Sequence, residues 1–138
     1  MNRERLFLDT AFIQALLNAR DDYHAQAQRL FPRVRNAAEI WLTEAILVEV
    51  GNALSGFNRP GAVQFIEQCY HTDNIQVVTV DENLLRAGLQ LYQSRSDKTW
   101  GLTDCISFVV MEREGLSLDL TADQHFVQAG FTALMRSA

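Results

Sequence analysis

Short apolar segments alternate with segments of helical periodicity along the whole chain, and this alternation restricts the fold more than any other feature. Ile75-Gln76-Val77-Val78-Thr79-Val80 is β-branched and too short for a stable helix, so it reads as a strand over 75–80. Residues 5–8, 40–43 and 118–121 are segments of the same kind, and 131–135 reads as a last edge strand. Between them lie helical stripes. Phe12, Ile13, Leu16 and Leu17 predict a helix over 10–20, and Ile46, Leu47, Val50, Ala53 and Leu54 predict one over 44–55. Further helices are expected over 23–35, 62–70, 82–94, 102–114 and 123–129. Asp21-Asp22 breaks the first helix and caps the second, Asn58-Arg59-Pro60-Gly61 reads as a turn, and Gly115 and Gly130 read as helix stops. Strands alternating with helices predict an α/β fold, with a mostly parallel sheet covered by helices on both faces.

The 138 residues show no repeat, low-complexity tract or linker, so one domain spanning 1–138 is expected. Apolar residues make up 48%, enough buried surface to exclude intrinsic disorder. No apolar run approaches the roughly 18 residues that would cross a membrane. Met1-Asn2-Arg3-Glu4-Arg5, with only Leu6-Phe7-Leu8 behind it, does not read as a signal peptide. Cys69 and Cys105 cannot build a disulfide framework or a cysteine zinc site, so a reducing, cytoplasmic setting is expected. The net charge of −5 argues against a general nucleic-acid coat protein, yet leaves room for a nuclease whose carboxylates gather around metal. Of the 12 basic residues all but Lys98 are arginines, which suits bidentate phosphate or carboxylate contacts as well as a solvated surface.

In a parallel sheet, ligands bind at the C-terminal edge of the strands, near the switch in strand order. Asp9 follows the first strand directly, and Asp123 follows the fourth. Asp104 stands in the first turn of the helix leading into that fourth strand, and Glu49 stands a turn into the helix after the second. Glu44 lies near the same edge and competes with Glu49 for the second place. Each acid taken singly has an ordinary reading, as a helix cap, a dipole partner or a solvated residue. Taken together they put four carboxylates from four segments on one edge. Carboxylates crowded in this way raise each other's pKa unless a cation offsets them, and oxygen donors suit Mg²⁺ or Mn²⁺. Such a metal activates water and offsets charge in phosphodiester hydrolysis. Apolar neighbours, Val48 and Val50 beside Glu49 and Leu102 and Ile106 beside Asp104, argue against freely chosen surface acids.

These residues resemble the PIN-domain family, and within it the VapC-like toxins of bacterial toxin–antitoxin systems. Leu6-Phe7-Leu8-Asp9-Thr10 is similar to the family's opening strand and first acid. Thr43, five residues and then Glu49 is similar to its second motif, Gly101-Leu102-Thr103-Asp104-Cys105-Ile106-Ser107 to its third, and Leu120-Thr121-Ala122-Asp123-Gln124-His125-Phe126 with Gly130-Phe131 to its fourth. The resemblance covers essentially the whole chain. It implies a three-layer PIN-like α/β fold with a five-stranded sheet in the order 3-2-1-4-5. It further implies an Mg²⁺- or Mn²⁺-dependent endoribonuclease in which Asp9, Glu49, Asp104 and Asp123 are the catalytic, metal-binding acids and Thr10 and Thr121 supporting hydroxyls. A homodimer and a small antitoxin that blocks the active site are implied as partners, besides RNA.

Other residues carry weaker signals. Arg95, Lys98 and Trp100 precede Asp104 and would suit single-stranded RNA, although Trp100 reads equally well as a buried loop anchor. His125 reads as a local hydrogen-bonder, and Arg29, Arg33 and Arg35 as a solvated face. The faces around Phe12, Leu16 and Leu17 and around Leu30 and Phe31 offer walls for a docked partner. Competing classes fit less well. A haloacid-dehalogenase-like phosphotransferase needs a second Asp two residues after the first, and Asp9-Thr10-Ala11 lacks it. A receiver domain needs paired acids after strand one. A non-toxin PIN nuclease or a catalytically silent PIN-like binding module remains as the alternative.

Overall fold

The computed structural model describes residues 4–136. Five strands and seven helices follow one another in these residues: β1 (Arg5–Leu8), α1 (Thr10–Leu17), α2 (His24–Asn36), β2 (Glu39–Thr43), α3 (Glu44–Leu54), α4 (Arg59–His71), β3 (Ile75–Val78), α5 (Glu82–Ser94), α6 (Leu102–Glu114), β4 (Leu118–Leu120), α7 (Gln124–Gln128) and β5 (Thr132–Ala133). The strands form one sheet in the order β3-β2-β1-β4-β5, parallel throughout, as the resemblance implied. Phe7 of β1 lies between Trp41 of β2 and Asp119 of β4. Successive strand side chains point to opposite faces. Leu6, Phe7 and Leu8 are nonetheless all buried, so helices cover the sheet on both sides.

Several boundaries differ from the sequence reading for local reasons. Helix α1 ends at Leu17, not at residue 20, because Asn18 takes an extended conformation at the C-cap (φ −120°, ψ 105°). Asn58-Arg59-Pro60-Gly61 is not a free turn but the start of α4. The Asn58 side chain accepts from the Gly61 N–H at 3.1 Å, and Pro60 occupies the first turn, where its missing N–H costs nothing. Strand β3 stops at Val78, and the Val80 N–H donates to Glu44 Oε1 at 3.0 Å instead of to a strand. Helix α6 follows its expected bounds, and Gly115 ends it in the left-handed region (φ 67°), where a side chain would be strained.

Helix α6 buries more residues than any other described helix, with Cys105, Ile106, Ser107, Phe108, Val110 and Met111 all inside. It packs closely on α5 at Gly88, where an added Cβ would lie 2.6 Å from Ile106 Cγ1. Cys69 and Cys105 are buried and unpaired, as expected of small core residues. Phe12 is wholly inside the core and forms no docking wall, while Leu30 is half-buried against it. Leu16, Leu17 and Phe31 do line an apolar cavity of about 440 Å³, together with Val34 and Phe65. Among the described residues no helix is long and apolar enough to cross a membrane.

Candidate metal centre and active site

Four chain segments bring polar side chains to the C-terminal edge of the β1–β4 pair. Asp9 leaves β1 in an extended conformation at the N-cap position of α1, yet its side chain makes no capping bond. Its Oδ2 instead accepts from the Thr121 hydroxyl at 2.9 Å, across the strand pair. Thr121 Oγ1 also accepts the Asp123 N–H at 3.0 Å, so one buried hydroxyl links the ends of β1 and β4. Asp123 caps α7 through Oδ1 and the His125 N–H at 2.9 Å. Asp104, in the first turn of α6, reaches back to the Gly101 N–H at 3.1 Å. Asp104 and Asp123 thus each make a capping bond, Asp104 being more than the dipole partner its place in a first turn suggests, but each cap uses one carboxylate oxygen and the other remains.

His125 joins this group, which the sequence did not lead one to expect. Its Nδ1 lies 3.1 Å from Asp104 Oδ2 and 3.4 Å from Asp123 Oδ1, and its Nε2 lies 3.2 Å from the Thr99 hydroxyl. Asp104, Asp123 and His125 each offer a ligand atom within 4.8 Å of the others. In the sequence His125 shows only as a His two residues after Asp123, and the packing of α7 on α6 brings its ring to Asp104.

The electrostatics agree with an uncompensated cluster. Burial pushes the Asp9 carboxyl from the ordinary 3.8 up to about 7, opposed by the Thr121 hydrogen bond and reinforced by Asp104. Burial also raises Asp104, against the Gly101 N–H and His125, which favour its charged form. A group of carboxyls that resists ionisation in this way is what a divalent cation would relieve. The carboxylate oxygens form a donor set that fits Mn²⁺ or Mg²⁺, beside which the His125 nitrogen is a softer donor that Mg²⁺ takes poorly.

The family model of the PIN domain matches residues 6–132. The chain belongs to the PIN-domain family. Solved structures share its fold, two of them as follows. VapC20 of Mycobacterium tuberculosis, a sarcin–ricin-loop-cleaving toxin, superposes with a TM-score of 0.82 at 24% identity, over 92% of this chain and 96% of that one. VapBC2 of Rickettsia felis, bound to a DNA fragment from its promoter, gives a TM-score of 0.62 at 12% identity, over 92% and 94%. No curated protein sequence matches the chain.

The PIN domain separates Glu44 from Glu49. Glu49 Oε1 accepts from the Thr10 hydroxyl at 2.6 Å, next to Asp9. Glu44 is engaged elsewhere, accepting from the Val80 N–H and, at 3.1 Å, from the Tyr70 hydroxyl. Glu49 is exposed, with Val48 beside it 63% exposed and Val50 fully buried, so only one side of its apolar flank lies in the core. Trp100 is not open for base stacking. It is buried, its Nε1 donates to Gln128 Oε1 at 3.0 Å, and its ring meets the edge of Phe108 with centroids 5.0 Å apart. Arg95 lies over the Trp100 ring at 4.9 Å while bonded to Asp97, and Lys98 is half-buried in the same loop. Arg33 is held by Glu4, and Arg35 lies over Phe31.

Asp119 is the acid that the sequence reading passed over, as the middle of a strand. It is fully buried, and neither of its carboxylate oxygens has a hydrogen-bond partner. An acid between two leucines in a strand buried on both faces was the available signal, because such a position has no water to offer it.

Proposed function

We propose that this PIN-domain protein is an Mg²⁺- or Mn²⁺-dependent endoribonuclease and the toxin of a toxin–antitoxin pair. The observation that carries the reading is the meeting of Asp9, Asp104 and Asp123 from three segments, with Asp9 held near neutrality by burial. Asp9, Asp104 and Asp123 would hold the cation, with His125 Nδ1 beside them and Glu49 at the rim. When bound, the cation lowers the pKa of a water and offsets charge developing on the phosphorus. The rest of the work belongs to the chain. Thr121 fixes the rotamer of Asp9 and Thr10 that of Glu49, while the Gly101 N–H orients Asp104. The Arg95–Trp100 loop stands before Asp104, and Arg95 and Lys98, both paired with Asp97 in the free protein, would turn to phosphates when RNA binds, with Trp100 as the loop's internal anchor. The likeness to VapC20, a sarcin–ricin-loop-cleaving toxin, supports the substrate class.

The partner reading rests on the acid cluster and the apolar cavity. An antitoxin carrying an Arg or Lys could pair with two acids at once, and its apolar residues suit the cavity lined by Leu16, Leu17, Phe31, Val34 and Phe65. The likeness to VapBC2 supports a partner of this type. For the homodimer, Leu85, Leu89 and Tyr92 form an exposed apolar stripe on α5.

The test is cleavage of a mixed RNA pool by purified protein with Mg²⁺ or Mn²⁺ and with EDTA. Cleavage that stops in EDTA and is lost in Asp9→Asn is expected. Full cleavage in EDTA refutes the metal mechanism. RNA retained but uncut in the presence of metal would make the protein a silent binding module. Equal nuclease rates with and without a co-expressed neighbouring small protein would refute the antitoxin part alone, and a monomer on size-exclusion chromatography would refute the dimer.

A further inference from the structure

Three buried side-chain oxygens have no hydrogen-bond partner among the described residues: Ser107 Oγ, Asp119 Oδ1 and Asp119 Oδ2. Native interiors rarely leave such atoms orphaned, and an orphaned acid is the costliest kind. Both residues stand one step deeper in the molecule than the proposed acids. Ser107 follows Asp104 by one turn of α6 and so shares its face. Asp119 precedes Thr121 by two residues of extended chain, which puts it on the Thr121 side of the sheet. Thr121 bonds Asp9, and Asp119 is paired in register with Phe7, two residues before Asp9. Asp119 therefore lies on the same face of the sheet as Asp9, directly behind it.

We propose that Asp119, with Ser107, forms the inner wall of the divalent-cation site and positions the cation's water shell behind Asp9. The proposal rests on the metal-nuclease reading above and adds a fifth acid to it. A purely packing role does not explain Asp119, since an apolar residue would fill this place without burying a carboxyl. A water or hydrated cation at this depth would have the two to four polar partners that buried water requires. The neighbouring charges point the same way: after burial itself, Asp9, then Asp104, then Asp123 raise the Asp119 carboxyl. Asp119 is thus a positioning residue. It would reach the reaction through Asp9 and bound water, without touching RNA.

The test is Mn²⁺ binding to the intact protein without RNA, read by electron paramagnetic resonance of free Mn²⁺, for wild type, Asp119→Asn and Ser107→Ala. Asp119→Asn is expected to weaken Mn²⁺ affinity about 10–100-fold, the usual effect of losing a residue that supports a metal's ligands. Ser107→Ala is expected to weaken it by a smaller factor. The metal-free melting temperature of Asp119→Asn is expected to match or exceed that of wild type. Affinity unchanged in a folded Asp119→Asn overturns the inference while leaving the nuclease reading intact. Wild type that binds no Mn²⁺ overturns both. Should Asp119→Asn fail to fold, Asp119→Ala takes its place. Failure of both to fold in saturating Mn²⁺ overturns the inference as well, because the acid is then structural.

Discussion

Asp9→Asn should make the metal-free protein more stable while abolishing the proposed nuclease activity. The Asp9 carboxyl ionises near 7 when folded, against an ordinary 3.8. Each pH unit of that difference is worth about 1.4 kcal/mol, so ionising Asp9 in the folded state costs about 4 kcal/mol. The sign follows from proton binding. Between pH 3.8 and about 7 the folded protein holds a proton on Asp9 that the unfolded chain has lost. Stability therefore falls as pH rises through this window, and the loss is complete above about 7. Asn carries no charge, and its side-chain oxygen can still accept from Thr121. Burying the new amide costs roughly 1 kcal/mol, which leaves a net gain of about 3 kcal/mol at pH 8. For a chain of this size that corresponds to a melting temperature about 10 °C higher. The assay is thermal unfolding in EDTA at pH 4, 6 and 8 for both proteins. The gain should be large at pH 8 and largely gone at pH 4. Added Mn²⁺ should then stabilise wild type and narrow the gap by mass action. An Asn variant that melts below wild type at pH 8 in EDTA would refute the reasoning, because Asp9 would then be a structural hydrogen-bond acceptor and no strained ligand.

Three further outcomes are expected. Glu49→Gln should lower RNA cleavage roughly tenfold or more, whereas Glu44→Gln should leave it nearly intact and cost only about 1 kcal/mol of stability from its bonds to Val80 and Tyr70; paired cleavage and denaturation curves compare them. Gly88→Ala should destabilise by about 1–3 kcal/mol in urea unfolding, because the new methyl meets Ile106 at the α5–α6 contact and the α6 backbone stands close behind it. Trp100→Ala should cost about 3–5 kcal/mol in the same assay, since it removes a buried ring packed on Phe108 and bonded to Gln128, and a loss below about 1 kcal/mol would return Trp100 to the role of an open stacking platform.

The alternation of strands and helices was legible because it depends on local physics. β-branched runs, helical stripes and a stop such as Gly115 act over a few residues, and the five parallel strands and the bounds of α5 and α6 agree with them. The places of Asp9, Asp104 and Asp123 were legible for a related reason: a parallel α/β sheet sends the end of each strand and the start of each returning helix to one edge. Where a side chain turns at that edge is a different kind of fact. The motif spacing favours Glu49 while leaving Glu44 as a competitor, and only the packing of β3 and α4 against the start of α3 commits Glu44 to Val80 and Tyr70. His125 entered the site because the Asp123 cap turns α7 back toward α6. Asp119 shows in the sequence only as an acid between two leucines, because burial is a property of the assembled molecule. In the sequence it is one acid among 17, and only the closing of helices over both faces of the sheet leaves its carboxyl without water or partner.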